Sequence, residues 1–383
     1  MKVASWNIFC PTLFGTGASE LVGEKAKELG MSKVMLVTEA DLIKFGIATK
    51  VQQQLENAGL QVVVFDKVAI DAPTDTCDAG GDFAKAEKVD GIVAVGGGSS
   101  LDTAKAIALL TGNEGPINKY YLAPPVKRGI PLITIPTTAG TGSENTQYLV
   151  IADSETGIKK VPEYAPDLAL VDPVLTYTLP KGQTAATGMD ALAHCAEAIT
   201  SKNWNPYAYT FAEEGIRIVM KWLPVAVKEP ENEEAREKLA YAANLGGMAI
   251  TVCGCQMGHA WAQCFGGMFH IPHGLGCAWG LPGAMYYAGK HCPEDAKLVA
   301  KAMGIPFEDD IPSDQLADLM AKRVGDLMRE IDLPTAKSQG YSLEDCLSVA
   351  KYLPDDAAIQ NAPKMPTLEE IKDYITVTYN AYV

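Results

Sequence analysis

At 383 residues the chain is too long for one average hydrophobic core, and with 48% hydrophobic and 21% charged residues it reads as a soluble globular protein of two domains. A formal net charge of −15 argues against a nucleic-acid backbone or an anionic membrane surface as partner, because both would repel it. Nine scattered cysteines without a CxxC pair indicate neither a disulfide framework nor a thiolate zinc site, and a reducing cytoplasm is the expected compartment.

The opening MKVASWNIFCPTLFG lacks a charged region followed by a long apolar run, and no stretch is apolar for long enough to span a bilayer. Further on, short β-branched runs alternate with helical patterns. Strands are expected at 33–38, 61–65, 91–95 and 132–135, with helices at 48–58, 76–87 and 100–110. This alternation predicts a Rossmann-like parallel sheet with helices on both faces, whose ligands bind beyond the carboxyl ends of the strands. A further apolar run at 168–171 leads into DPVLTYTLP. After Pro180 the pattern is helical to the end, with helices expected at 183–200, 206–227, 232–253, 282–287, 294–303, 313–330, 343–352 and 368–379. The expected division is an α/β domain over 1–180 and an all-α domain over 181–383.

Directly after the third strand stand Gly96, Gly97, Gly98, Ser99 and Ser100. The glycines let a backbone turn sharply against a ligand, and Ser99 or Ser100 is expected to cap a helix whose N–H groups meet an anion. The run lacks the GK[ST] ending of a nucleoside-triphosphate loop. A second loop, PTTAGTGSENT, follows the fourth strand and carries Thr137 and Thr138. Glu39, at the end of the first strand, suits either a ribose diol or the start of a helix.

The chain has five histidines, and His194, His259, His270 and His273 crowd into two short segments. Asp190 and His194, four residues apart on one helix, share a face. With His259 and His273 they offer one carboxylate and three imidazoles, a donor set for Fe(II) or Zn(II) rather than calcium or magnesium. His270 is either a substrate-facing group or a helix-end residue, His291 is expected at the surface, and Cys195 and Cys264 read as small packing residues.

GGGSSLDTAK, PTTAGTGSENT, DPVLT, GMDALAHCAEA and GHAWAQCFGGMFHIPHG together resemble the iron-containing, metal-dependent alcohol dehydrogenases, in that family's order and across almost the whole chain. The resemblance implies a dinucleotide-binding α/β domain followed by a helical domain. It assigns Asp190, His194, His259 and His273 to the metal. It assigns Gly96, Gly97, Gly98 and Ser99 to the pyrophosphate, with Asp102 beneath them. Thr137, Thr138 and Lys159, or its neighbour Lys160, fall to the nicotinamide and its ribose, and Glu39 falls where NAD is preferred over NADP. One departure is Gln263, where relatives carry a histidine; an amide cannot relay a proton near neutrality. The residues expected to meet the substrate are Gln263, Tyr148 and His270.

The function this implies is NAD(H)-dependent, metal-dependent interconversion of an alcohol and an aldehyde. Gln263, Asn145, Gln147 and Tyr148 favour a short, polar, possibly anionic aldehyde of the sulfoacetaldehyde, lactaldehyde or 3-hydroxypropanal type. A homodimer or larger homo-oligomer is expected, without nucleic-acid or membrane partners. The competing readings are a metal-dependent lyase or cyclase of the dehydroquinate synthase type and a non-catalytic nucleotide-binding protein.

Overall fold

The computed structural model describes residues 3–7, 9–121 and 127–381, so the last two residues of the expected helical half lie outside the described residues. The chain divides into two compact units, one of Asn7–Thr138 with Gly142–Thr178, the other of Met1–Trp6, Ala139–Thr141 and Leu179–Val383.

In the first unit the elements run β1 (Thr12–Phe14), α1 (Val22–Glu28), β2 (Lys33–Val37), α2 (Ala40–Lys44), α3 (Ile47–Asn57), β3 (Gln61–Phe65), α4 (Thr74–Glu87), β4 (Gly91–Gly96), α5 (Gly98–Gly112) and β5 (Leu132–Pro136). The short strands β6 (Ile151–Ala152) and β7 (Lys159–Lys160) and then β8 (Leu168–Val171) complete it. Six strands form one parallel sheet in the order β1-β8-β5-β4-β2-β3, and β6 pairs with β7 as an antiparallel hairpin. The strand period of two sorts the apolar runs onto both faces. Val34, Leu36, Val93, Val95, Ile133 and Ile135 pack with Val22, Val51 and Leu55 of α1 and α3. Met35, Val37, Ile92, Ala94 and Leu132 pack with Cys77, Ala84, Leu101 and Ile107 of α4 and α5.

From β2 the chain adds β3 on one side and then crosses to add β4 on the other. The strand order therefore reverses at the carboxyl ends of β2 and β4, the place where open α/β sheets take ligands. The residues following those two ends are Thr38 and Glu39 on one side and Gly97 and Gly98 on the other. Behind them, Lys105 of α5 is wholly buried. Its ammonium donates to the Tyr148 carbonyl at 2.6 Å and Ser143 Oγ at 2.8 Å and lies 3.3 Å from Asp102 Oδ1. Asp102 also accepts from Ser143 Oγ at 2.6 Å and from the Val150 N–H at 3.0 Å, so this net pins the 143–150 loop to α5. Burial lowers the Lys105 pKa, and the Asp102 carboxylate opposes that shift.

The second unit is helical: α6 (Lys181–Ile199), α7 (Pro206–Lys228), α8 (Glu233–Cys253), α9 (Met257–Phe269), α10 (His273–His291), α11 (Pro293–Ala302), α12 (Ser313–Glu330), α13 (Leu343–Ser348) and α14 (Leu368–Asn380). Among the described residues no strand follows Val171, and no helix is long and apolar enough to cross a membrane.

In the helical unit the boundaries correct the expectation in three places. The helix expected at 282–287 is the middle of α10, which continues through Pro282. Proline usually interrupts a helix because it lacks an N–H, but α10 packs against α6, α9, α12 and α14. A Cβ on Gly280 would lie 2.8 Å from the Gly258 carbonyl, and one on Gly283 2.5 Å from the Tyr374 carbonyl, so close tertiary contact surrounds this helix where it continues through its weak point. The segment 257–269, given no helix from sequence, is α9, and the helix expected at 343–352 ends at Ser348, with turns beyond it.

Replacing Lys105 with methionine leaves the Asp102 carboxylate buried without its cation, and loss of one partner of a buried ion pair costs about 3 kcal/mol or more. The expected result is a clear fall in the denaturant midpoint, measured by circular dichroism.

Candidate functional site

Asp190 and His194 lie one turn apart on α6, both buried. His259 comes from the first turn of α9, and His273 opens α10 directly after Pro272. Asp190 Oδ1 lies 3.7 Å from His194 Nε2, 3.5 Å from His259 Nε2 and 3.9 Å from His273 Nε2. Donor atoms about 2.1 Å from one tetrahedral ion are separated by about 3.4 Å, so these spacings suit a shared divalent cation. Two of the atoms, Asp190 Oδ1 and His259 Nε2, are buried without a hydrogen-bond partner, the state expected of groups shaped for a metal. Burial alone would raise the Asp190 pKa, but the surrounding imidazoles more than offset it and hold the carboxyl far below its ordinary range.

The tautomers are set from outside the cluster. His194 Nδ1 donates to the Gly140 carbonyl at 3.2 Å, and His259 Nδ1 donates to Glu197 Oε2 at 3.0 Å, which leaves each Nε2 lone pair for an ion. Glu197 is itself fully buried and accepts the Gln256 N–H at 2.6 Å. Small residues make these approaches possible. A Cβ on Gly258 would collide with Glu197 Oε1, one on Gly140 would meet Thr187 Cβ at 2.6 Å, and one on Gly274 would meet the Ala186 carbonyl at 2.8 Å.

Sequence reasoning missed three members of this neighbourhood. Glu197 was within reach of it, since 190, 194 and 197 fall on one helical face. Cys277 lies with Asp190, His259 and His273 in a group whose donor atoms are all within 4.8 Å of one another. Cys255 forms a second such group with His194 and His259. Neither thiol belongs to a CxxC pair: Cys277 follows His273 by one helical turn, and Cys255 reaches the cluster from the irregular segment before α9. Cys195 is a packing residue as expected, against Gly215 and Gly246.

In the strand-bearing unit, Gly96 has a φ of 153° and has no room for a Cβ beside Ser100 Oγ. The Thr137 N–H donates to the Gly96 carbonyl at 3.0 Å, and a Cβ on Gly97 would press on Thr138 Cγ2 at 3.3 Å, which ties the second loop to the first. The serines do not cap the helix. The N-cap of α5 is Gly97, with no side-chain cap bond; Ser99 Oγ instead accepts the Asp71 N–H at 3.1 Å and Ser100 Oγ donates to Glu39 Oε1 at 2.9 Å. The helix starts two residues earlier than expected because glycine supplies the entry turn. Glu39 is the N-cap residue of α2, without a capping side-chain bond, and its carboxylate is turned to the glycine loop. Lys159 Nζ pairs with Asp71 Oδ1 at 2.6 Å, so the hairpin reaches the loop through Asp71, whereas Lys160 pairs with Asp153. Asp71 and Ala72 both adopt left-handed backbone, at φ 64° and 47°, a strain of about 1–2 kcal/mol per residue.

Gln263 is half-buried one turn after His259. His270 ends α9 in a left-handed conformation, φ 56°, and is exposed. Tyr148, half-buried, belongs to the strand-bearing unit, where it bridges to Glu163. His291 lies apart, 3.5 Å from Glu370.

The family described as iron-containing alcohol dehydrogenase matches residues 11–173, and the C-terminal family of Fe-containing alcohol dehydrogenases matches residues 184–379. A choline dehydrogenase of Bacillus subtilis (strain 168) is 38% identical over 355 residues, which cover 89% of this chain and 88% of that protein. An NAD-dependent methanol dehydrogenase of Bacillus methanolicus is 33% identical over 379 residues, 96% of this chain and 98% of that protein. Among solved structures, the sulfoacetaldehyde reductase of Bifidobacterium kashiwanohense in complex with NAD+ superposes with a TM-score of 0.87 at 27% identity, covering 99% of this chain and all of that one (100%).

Removing an outer partner of a ligating histidine costs about 10–100-fold in metal affinity. Glu197→Gln is expected to weaken divalent-metal binding within that range, read by competition with a chromophoric chelator, while the helical circular dichroism signal stays unchanged.

Proposed function

Because the chain belongs to the iron-containing alcohol dehydrogenase family, we propose that it is an NAD(H)-dependent enzyme that interconverts a short polar alcohol and its aldehyde at a site holding one divalent ion, iron or zinc. The observation that carries this reading is the cluster of three histidine Nε2 atoms within 3.9 Å of the buried Asp190 carboxylate. In it, Asp190, His194, His259 and His273 hold the ion, and residues 181–383 form the metal-binding domain. Residues 1–180 bind the dinucleotide: the uncapped amides at the start of α5 take the pyrophosphate beside Gly96, Gly97, Gly98 and Ser99. Asp102 works beneath them as the anchor of Lys105. Glu39 accepts the ribose diol and repels a 2′-phosphate. Thr137, Thr138 and Lys159, the last through Asp71, steady the nicotinamide end.

When bound, the ion would act as a Lewis acid on the carbonyl oxygen and the dinucleotide would carry the hydride. Tyr148, Gln263 and His270 orient the substrate. Gln263 donates and accepts hydrogen bonds but relays no proton, which leaves that step to His270 or to water. The named relatives act on choline, methanol and sulfoacetaldehyde, all small molecules and of different charge. A short polar substrate agrees with that range and with the amide- and hydroxyl-bearing residues of this chain; sulfoacetaldehyde, lactaldehyde and 3-hydroxypropanal are the substrates to try first. A cytoplasmic homodimer completes the reading.

The test is NADH oxidation across an aldehyde panel, with apoprotein refilled with Fe(II) or Zn(II). Turnover of a short polar aldehyde ahead of butanal and hexanal supports the proposal, and absence of net NADH oxidation with every aldehyde defeats it. His259→Ala and His273→Ala should each lose bound metal and activity together; either variant keeping both would remove it from the ligand set. Glu39→Ala should raise the NADPH-to-NADH ratio of kcat/KM about tenfold, equivalent to about 1.4 kcal/mol of lost discrimination.

A further inference from the structure

We propose that Cys277 is a ligand of the same ion, so that the site binds through sulfur as well as through oxygen and nitrogen. The inference rests on the metal reading above and adds to it a donor outside the family's set. Cys277 is fully buried, and its Sγ lies 3.5 Å from His273 Nε2. An imidazole nitrogen and a thiolate sulfur bound to one tetrahedral ion at ordinary bond lengths are about 3.6 Å apart, so the hydrogen bond between these two atoms already holds them at the spacing that a common ion needs. The residue reaches this position for the same reason that Asp190 and His194 share theirs: His273 and Cys277 are four apart on α10 and project from one face. Its sulfur joins the group made with Asp190 and His259, both of which carry buried donor atoms without a hydrogen-bond partner.

Asp190, His259, His273 and Cys277 form one group of four donors, with His194 grouped separately with His259 and Cys255, and an ion held by four protein donors expands to five when a substrate oxygen binds. Binding transfers the thiol's proton to solvent and forms a metal–sulfur bond in its place, with no change of oxidation state. The extra buried negative charge carries a desolvation cost that the metal–sulfur bond has to offset. The consequence is selectivity: a thiolate shifts the site toward zinc and cobalt and away from the oxygen-preferring ions. The second nearby thiol, Cys255, is grouped with His194 and His259 and is the internal competitor for this role.

Cobalt(II) titration of the apoprotein separates the possibilities, because visible ligand-field bands report binding at the site and a near-ultraviolet thiolate-to-cobalt charge-transfer band reports sulfur. The expected result is both sets of bands in the unaltered protein and in Cys255→Ser, and ligand-field bands alone in Cys277→Ser with native circular dichroism. In competition dialysis Cys277→Ser should also weaken zinc binding by at least about tenfold, since loss of even an outer partner costs that much affinity, and lower the preference for zinc over iron(II). Cobalt bound without a charge-transfer band in the unaltered protein overturns the inference and leaves the metal reading standing, as does a band that survives Cys277→Ser or disappears in Cys255→Ser. Failure to bind cobalt at all overturns both.

Discussion

A carboxylate at 1% exposure sets the terms for the helical unit. Asp190 cannot remain charged there without positive charge nearby, because desolvating an isolated carboxylate costs several kcal/mol or more. The imidazoles that surround it reverse the effect of burial on its pKa, yet each imidazole is a better ligand when neutral. Glu197 sharpens the problem, since it brings a second fully buried carboxylate against His259. Buried carboxylates beside imidazoles that ligate best when neutral form a donor set suited to a divalent cation. The helices α6, α9 and α10 are arranged to hold these groups in contact, and the glycines at 140, 258 and 274 mark where backbone or side chains approach too closely for a Cβ.

The strand-bearing unit is ordered by a buried charge of the opposite sign. Lys105 has no exposure and spends its ammonium on Asp102, Ser143 and the Tyr148 carbonyl. That net fixes the loop after β5 to the helix after β4. Across the strand-order reversal, Ser100 of α5 donates to Glu39 at the end of β2. Rigid placement of a glycine turn and a helix N-terminus is what anion recognition needs, because backbone amides cannot reorganise toward a ligand without loss of hydrogen bonds.

Much of this was legible from residue pattern. The runs KVMLVT, QVVVF and GIVAV are β-branched and bounded by turn residues, so parallel strands followed from them directly, and four rare histidines with one aspartate made a metal the economical reading. What escaped did so for identifiable reasons. Pro282 looked like a helix boundary because local propensity favours a break there; only the packing of α10 on its neighbours overrides it. β1, with three residues, exists because β8 offers it an edge, a non-local pairing with no strong local signal. Ser99 and Ser100 are good capping residues by type, and their hydroxyls are instead engaged by Asp71 and Glu39, residues distant in sequence. Cys277 carried a readable spacing from His273, but a search for paired thiols passes over a cysteine whose partners are histidines.

The turn from α9 to α10 joins these themes. Residues 270–272 must bring His273 back toward His259 within three positions, and the chain manages it by placing His270 in the left-handed region, at a cost of about 1–2 kcal/mol that glycine would avoid. Glycine or asparagine is the usual residue at such a helix end, so retaining an exposed imidazole there runs against the local conformational preference. Gln263, one turn after His259, supplies an amide that cannot carry a proton. Within the same α9–α10 corner, His270 is an exposed imidazole three residues from a candidate ligand. The strain marks His270 as a residue held against its backbone preference, and Gln263 as a position that can orient a bound group but not relay a proton.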